Sequence, residues 1–164
     1  TNNTLVRVNG VTETTLNAGD EYVYTINPST ATLITSDNDK PFIVFQVTGT
    51  GASNVELGGT VLPDISCTGS KEIVYRPFLN STPIVTILTK KENIADFKVN
   101  GTTYMLPSSI FKPVHGDANW YNFIRQLSTS VAMPVLRVTN SKGYFHMGVL
   151  DANSGTCSYG YFSI

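Results

Sequence analysis

The chain has 164 residues, of which 14% are charged and 41% apolar, with a formal net charge of -1; this is an ordinary globular composition, long enough for one well-packed domain. Its eleven Lys and Arg are scattered, with Lys90-Lys91 as the one basic cluster, so the electrostatic footprint of a nucleic-acid binder is absent. The longest apolar runs, such as Phe42-Ile43-Val44-Phe45, are far too short for direct insertion into a bilayer.

Taken in chain order, the residues read as nearly all β. Leu5 to Val8, then Asn9-Gly10, then Val11 to Thr14 is a hairpin signal, because a two-residue type I′ turn needs positive φ at both positions. Alternation of β-branched and aromatic residues predicts strands at Tyr22 to Ile26, Thr32 to Thr35, Phe42 to Val47, Glu72 to Arg76 and Ile84 to Leu88. The glycine-rich stretch Val47 to Leu62 reads as a long surface loop. Asn100-Gly101 repeats the hairpin device, joining Phe97 to Val99 with Thr102 to Met105. Further strands are predicted at Tyr121 to Leu127, Val135 to Val138, Tyr144 to Leu150 and Tyr159 to Phe162. No stretch sustains an apolar helical period. The expected architecture is a β-sandwich-like module spanning 1–164.

The chain also resembles itself. Val8-Asn9-Gly10 matches Val99-Asn100-Gly101, and Asp39-Lys40-Pro41-Phe42-Ile43-Val44-Phe45 matches Ser141-Lys142-Gly143-Tyr144-Phe145-His146-Met147, in the same order. Such ordered offsets imply a duplicated unit with halves near 1–80 and 81–164. The strand from Ile84 to Leu88 has no counterpart before Thr1, so the chain reads as a fragment of a larger protein with an exposed sheet edge near its amino end.

The search for chemistry returns little. His146 falls in a strand, on the face shared with Tyr144 and Gly148, and reads as structural; His115 lies in a loop. There is no nucleophile elbow, zinc-protease helix motif or phosphate loop, and no obvious carboxylate pair, so the chain reads as a non-enzyme needing no cofactor. The turns Asp37-Asn38-Asp39 and Asp151-Ala152-Asn153-Ser154-Gly155 are weak calcium candidates, with Asp151 and Asn153 as ligands; the second lacks the distal glutamate of a calcium loop. Trp120, Tyr121 and Tyr144 are candidate ligand-binding aromatics for a glycan, although strand alternation would turn Trp120 and Tyr121 to opposite faces. Cys67 and Cys157 are either two free thiols or one disulfide closing a long loop, the latter worth about 4–5 kcal/mol in the chain-entropy model and implying an oxidising compartment. Asn2, Asn80 and Asn100 each open a glycosylation sequon.

Together these motifs resemble the IgGFc-binding-protein N-terminal domain family, in its bacterial surface or adhesin-type members. The likeness runs through Leu16-Asn17-Ala18-Gly19, Val61-Leu62-Pro63, Cys67-Thr68-Gly69-Ser70, Phe111-Lys112-Pro113-Val114, Gly143 to Val149 and the ending Cys157-Ser158-Tyr159-Gly160-Tyr161-Phe162-Ser163. The resemblance implies an extracellular or cell-surface module of a multidomain protein, serving adhesion or structural binding. Its partners would be a host or matrix protein or a glycan, together with neighbouring domains of the same parent chain. A carbohydrate-binding module is the alternative. Binding to immunoglobulin Fc does not transfer on fold alone.

Overall fold

A computed structural model describes residues 1–27, 30–37, 40–48, 58–78, 81–103, 106–127, 135–152 and 157–163, apart from the side chains of Ala152 and Cys157. Its strands are β1 (Thr4–Val8), β2 (Val11–Leu16), β3 (Ile34–Ser36), β4 (Val44–Thr48), β5 (Gly58–Leu62), β6 (Glu72–Tyr75) and β7 (Ile84–Lys90). They continue with β8 (Phe97–Val99), β9 (Lys112–Val114), β10 (Asp117–Gln126), β11 (Leu136–Asn140), β12 (Phe145–Ala152) and β13 (Cys157–Phe162). Single 3-10 turns sit at Lys91–Asn93 and Ser108–Ile110. The all-β, sandwich-like reading holds.

Two sheets make the sandwich. One is five-stranded in the order β13-β12-β7-β10-β9, and the other three-stranded in the order β6-β11-β8. Strand alternation turns Val85 and Ile87 of β7, Phe123 of β10, and Phe145, Met147 and Val149 of β12 to one face. They meet Ile73, Phe97, Val99, Leu136 and Val138 of the second sheet in one buried cluster, closed by Leu106 and Phe111. Phe97 stacks on Phe111 at 5.2 Å and meets Phe145 edge-on at 5.1 Å, the offset and T-shaped geometries that aromatic quadrupoles favour. Burying each such side chain contributes roughly 1.5–3 kcal/mol.

The first sixty residues are organised differently. They form a three-stranded sheet, β2-β1-β3, and a separate hairpin, β4-β5. Val6 and Val8 are buried there but belong to no shared cluster with the sandwich. The Asn9-Gly10 turn takes φ values of 52° and 83°, and Asn100-Gly101 takes 50° and 84°, the doubly left-handed pair that a type I′ turn requires. Each asparagine then ties its turn to a residue far along the chain in the same way. The Asn9 N–H donates to Leu33 O at 2.8 Å and its Oδ1 accepts from Leu33 N–H at 2.9 Å. The Asn100 N–H donates to Arg137 O at 2.8 Å and its Oδ1 accepts from Arg137 N–H at 2.8 Å.

Four sequence expectations are corrected. β1 lies between β2 and β3, so the amino-terminal strand is not the exposed edge. Residues 22–26 join no strand although their alternation is strand-like, because alternation does not supply a ladder partner and no ladder reaches them among the described residues. Thr102 bridges only to Val99 and no strand follows; residues 104 and 105 lie outside the described residues. Gly58–Leu62, read as loop, is a strand because its backbone pairs with β4 throughout, from Val44↔Leu62 to Thr48↔Gly58; 49–57 lie outside the described residues.

Candidate binding surface

The face of the five-stranded sheet that looks away from the core carries Trp120, His146, Leu150, Tyr159 and Tyr161. Part of it is covered by the β4-β5 hairpin, where Tyr159 Oη donates to Gln46 Oε1 at 2.9 Å. Between the two layers runs a cleft of about 160 Å3, lined by Gln46, Thr48, Thr86, Gly148, Leu150 and Tyr161 among others. Burial pushes the Tyr161 phenol up to about 12, so it stays protonated at any physiological pH. None of the described residues lining this cleft is ionised.

His146 is 1% exposed. Its Nε2 faces Ile65 O at 3.3 Å, and its Nδ1 stands 2.6 Å from Ser163 Oγ, which also lies 2.7 Å from Thr68 Oγ1. Thr68 in turn donates to Asp64 O at 3.0 Å. Burial holds the imidazole below its ordinary range, with the bond to Ile65 opposing. The group staples β12 to the 64–68 turn and to the carboxyl-terminal strand. Serine and histidine do meet here, but the third position of a triad is a backbone carbonyl, which cannot hold an imidazolium as a carboxylate does.

Asp151 is equally tied down. It is fully buried, and its Oδ2 accepts from Tyr75 Oη and from Phe78 N–H, both at 2.8 Å. Asn153, its suggested co-ligand, lies outside the described residues. Asp37 is engaged by the guanidinium of Arg7 at 2.8 and 3.1 Å, and residues 38 and 39 lie outside the described residues. No group of three or more His, Cys, Asp or Glu side chains able to hold a metal occurs among the described residues.

The candidate aromatics are spread out. Trp120 is half-buried with its ring 6.1 Å from that of His146, whereas Tyr121, on the opposite face of β10, packs against the core. Tyr144 is exposed, and Lys71 Nζ sits 5.3 Å from its ring centroid. Cys67 carries a free, exposed thiol in the Asp64 turn, so the expected bridge to Cys157 is not formed in this structure. The Cys157 side chain lies outside the described ones.

One surface was not singled out by sequence reasoning. On the outer face of the β4-β5 hairpin, Ile43 is 81% exposed, Phe45 61%, Val47 60% and Val61 57%, with Phe45 and Val61 directly opposite each other. Elsewhere, Val23 is 85% exposed, and Tyr22, Tyr24 and Ile26 beside it are also in solvent. Alternation signals a strand but does not say whether its apolar face is covered. Apolar side chains gathered in this way mark an interaction surface.

No curated protein and no solved structure matches the chain. No helix among the described residues is long and apolar enough to cross a membrane. A comparison with protein families matches the IgGFc binding protein family over residues 1–159, nearly the whole length. That family is one of extracellular modules that bind proteins. With an all-β sandwich beneath an exposed apolar surface and a family match of this extent, the chain belongs to the IgGFc-binding protein family.

Proposed function

We propose that the chain is a non-enzymatic adhesion or structural binding module of a bacterial surface or secreted multidomain protein, made of two related halves. The observation that carries the binding reading is the outer face of the β4-β5 hairpin, where Ile43, Phe45, Val47 and Val61 stand in solvent on a strand pair. A partner there would gain affinity by covering these side chains and by hydrogen bonding along the strand edge, without any chemical step. The partner classes are a neighbouring domain of the parent chain and a host or matrix protein. The non-enzymatic part draws support from His146 and Asp151, whose bonds serve packing.

Support for the two-halves reading comes from the matched asparagine turns and from register. Phe45↔Val61 and Val47↔Gly59 in the first half correspond to Met147↔Phe162 and Val149↔Gly160 in the second. A glycine thus stands at the same rung of both hairpins. β3 meets β1 as β11 meets β8, with Val8↔Ile34 beside Val99↔Val138.

The test is a binding screen of the purified chain against immunoglobulin, collagen, fibronectin and a glycan array, run beside Phe45→Asp and Trp120→Ala. Protein binding lost in Phe45→Asp and kept in Trp120→Ala supports the hairpin face. Glycan binding that depends on Trp120 instead favours the carbohydrate reading.

A further inference from the structure

From the same hairpin face we infer that its occupant is an extended strand, laid antiparallel along the open edge of β4 and supplied by polypeptide joined to the amino end of this chain. This rests on the binding reading of that face, and it adds what kind of partner fits and from where.

In the second half the equivalent place is filled. There β12 is paired on one edge by β13 and on the other by β7. β7 pairs in turn with β10, so it lies between the two. Ile87 sits opposite both Met147 and Phe123, and all three are at most 3% exposed. β7 is the central strand that lets its neighbours bury their apolar faces.

In the first half the flanking pieces are present, and no central strand occurs among the described residues. β4-β5 reproduces β12-β13 rung for rung, yet among the described residues β4 has β5 alone as a ladder partner. The turn Gly19-Asp20 parallels Gly116-Asp117, both glycines at φ 91°, and each leads into an alternating stretch. In the second half that stretch is β10. In the first it is 21–27, which joins no strand.

Exposure follows the same correspondence. Ile43, Phe45 and Val47 align with Phe145, Met147 and Val149, whose exposures are 0%, 0% and 1% against 81%, 61% and 60%. Ile26, 39% exposed, aligns with Phe123 at 3%. These aligned side chains stand in water in the first half and are buried in the second, and they are the ones a β7-like strand would touch. Its chemistry follows from β7: β-branched or aliphatic residues on alternate positions, with an unhindered backbone for two ladders.

The source follows from register. Val8 aligns with Val99, and the same offset sets the end of a β7 counterpart two residues ahead of Thr1. A strand arriving there needs no long connection, so ordering it costs little loop-closure entropy. A strand from a second copy would pay the full association cost instead.

The test grafts a copy of residues 82–91 directly ahead of Thr1 and follows amide hydrogen exchange by NMR, with sedimentation to fix the oligomeric state. The control graft carries Pro at the copied Ile87 position, which removes a ladder donor. In the monomeric grafted chain, exchange at Phe45, Val47, Tyr24 and Ile26 should slow by about tenfold or more relative to the ungrafted and proline-bearing chains. Equal exchange in all three overturns the inference. So does an ungrafted chain that self-associates with these amides already protected, since a second copy then fills the place. A graft that fails to seat while Phe45-dependent capture of immunoglobulin, collagen or fibronectin persists rejects the strand but keeps the binding reading.

Discussion

Residues 1–62 and 71–163 have matching turn angles and hairpin registers, yet only the second region has the aromatic core. Residues 71–163 assemble a five-stranded and a three-stranded sheet around Phe97, Phe111 and Phe145, while the first sixty leave the matching positions in water. The difference teaches that local signals do not make a sandwich. Asn9-Gly10 and Asn100-Gly101 adopt the same turn conformation, yet among the described residues a strand follows only the first, and only in the second half does a strand such as β7 lie between two partners of the large sheet.

The largest effect separating the halves is expected from truncating aligned residues. Phe145→Ala should lower unfolding stability by about 3–5 kcal/mol through loss of its burial and the cavity left behind, whereas Ile43→Ala should stay within about 0.5 kcal/mol. Chemical denaturation of the two variants checks this, and equal losses would break the contrast. Next comes Gly143→Ala. A Cβ there would overlap the side-chain amide of Asn93, itself buried beneath the turn that Asn140 caps through bonds to Lys142 and Gly143 N–H. Overpacking of this kind costs about 1–3 kcal/mol, read as a shifted denaturation midpoint.

The asparagine turns sharpen the comparison from the other side. Asn9→Ala and Asn100→Ala each lose an acceptor to a residue far along the chain and place alanine at positive φ, costing about 1–2 kcal/mol apiece. Near-equal values would support duplicated turns; a large effect at Asn100 alone would tie it to the finished sandwich. The smallest effect concerns His146, whose folded pKa lies below the ordinary 6.5. Above that value both folded and unfolded forms are neutral, so its contribution to stability is constant. As pH falls through 6.5 the unfolded chain takes up the proton first, and stability declines until the lowered folded pKa is passed. Denaturation midpoints from about pH 7.5 to about pH 5 should fall less in His146→Gln than in the parent chain.

Much of the fold was legible because it is local. Asn9-Gly10 and Asn100-Gly101 announce their turns through backbone conformation, and alternation located β6, β7, β12 and β13 to within a residue or two at most ends. The side of the strand holding His146 followed from the same period. What alternation cannot reveal is a partner. It made Tyr22 to Ile26 look like a strand, and it could not show that glycine-rich 58–62 pairs with β4. The bonds that fix Asp151 come from Tyr75 and Phe78, more than seventy residues away. The Ser163, Thr68 and His146 group likewise joins residues far apart in sequence. Cys67 lies in a turn closed by its own Asp64, with no bond to Cys157 in the structure.

A closed sandwich over residues 71–163 thus stands beside an amino-terminal region that leaves apolar side chains in solvent. Amide hydrogen exchange on the unaltered 164-residue chain tests this contrast most directly. Exchange should be slow at Ile87, Phe123 and Met147, limited by global unfolding, and faster by about a hundredfold or more at Phe45, Tyr24 and Ile26. Uniform protection across both halves in a monomeric chain would contradict it.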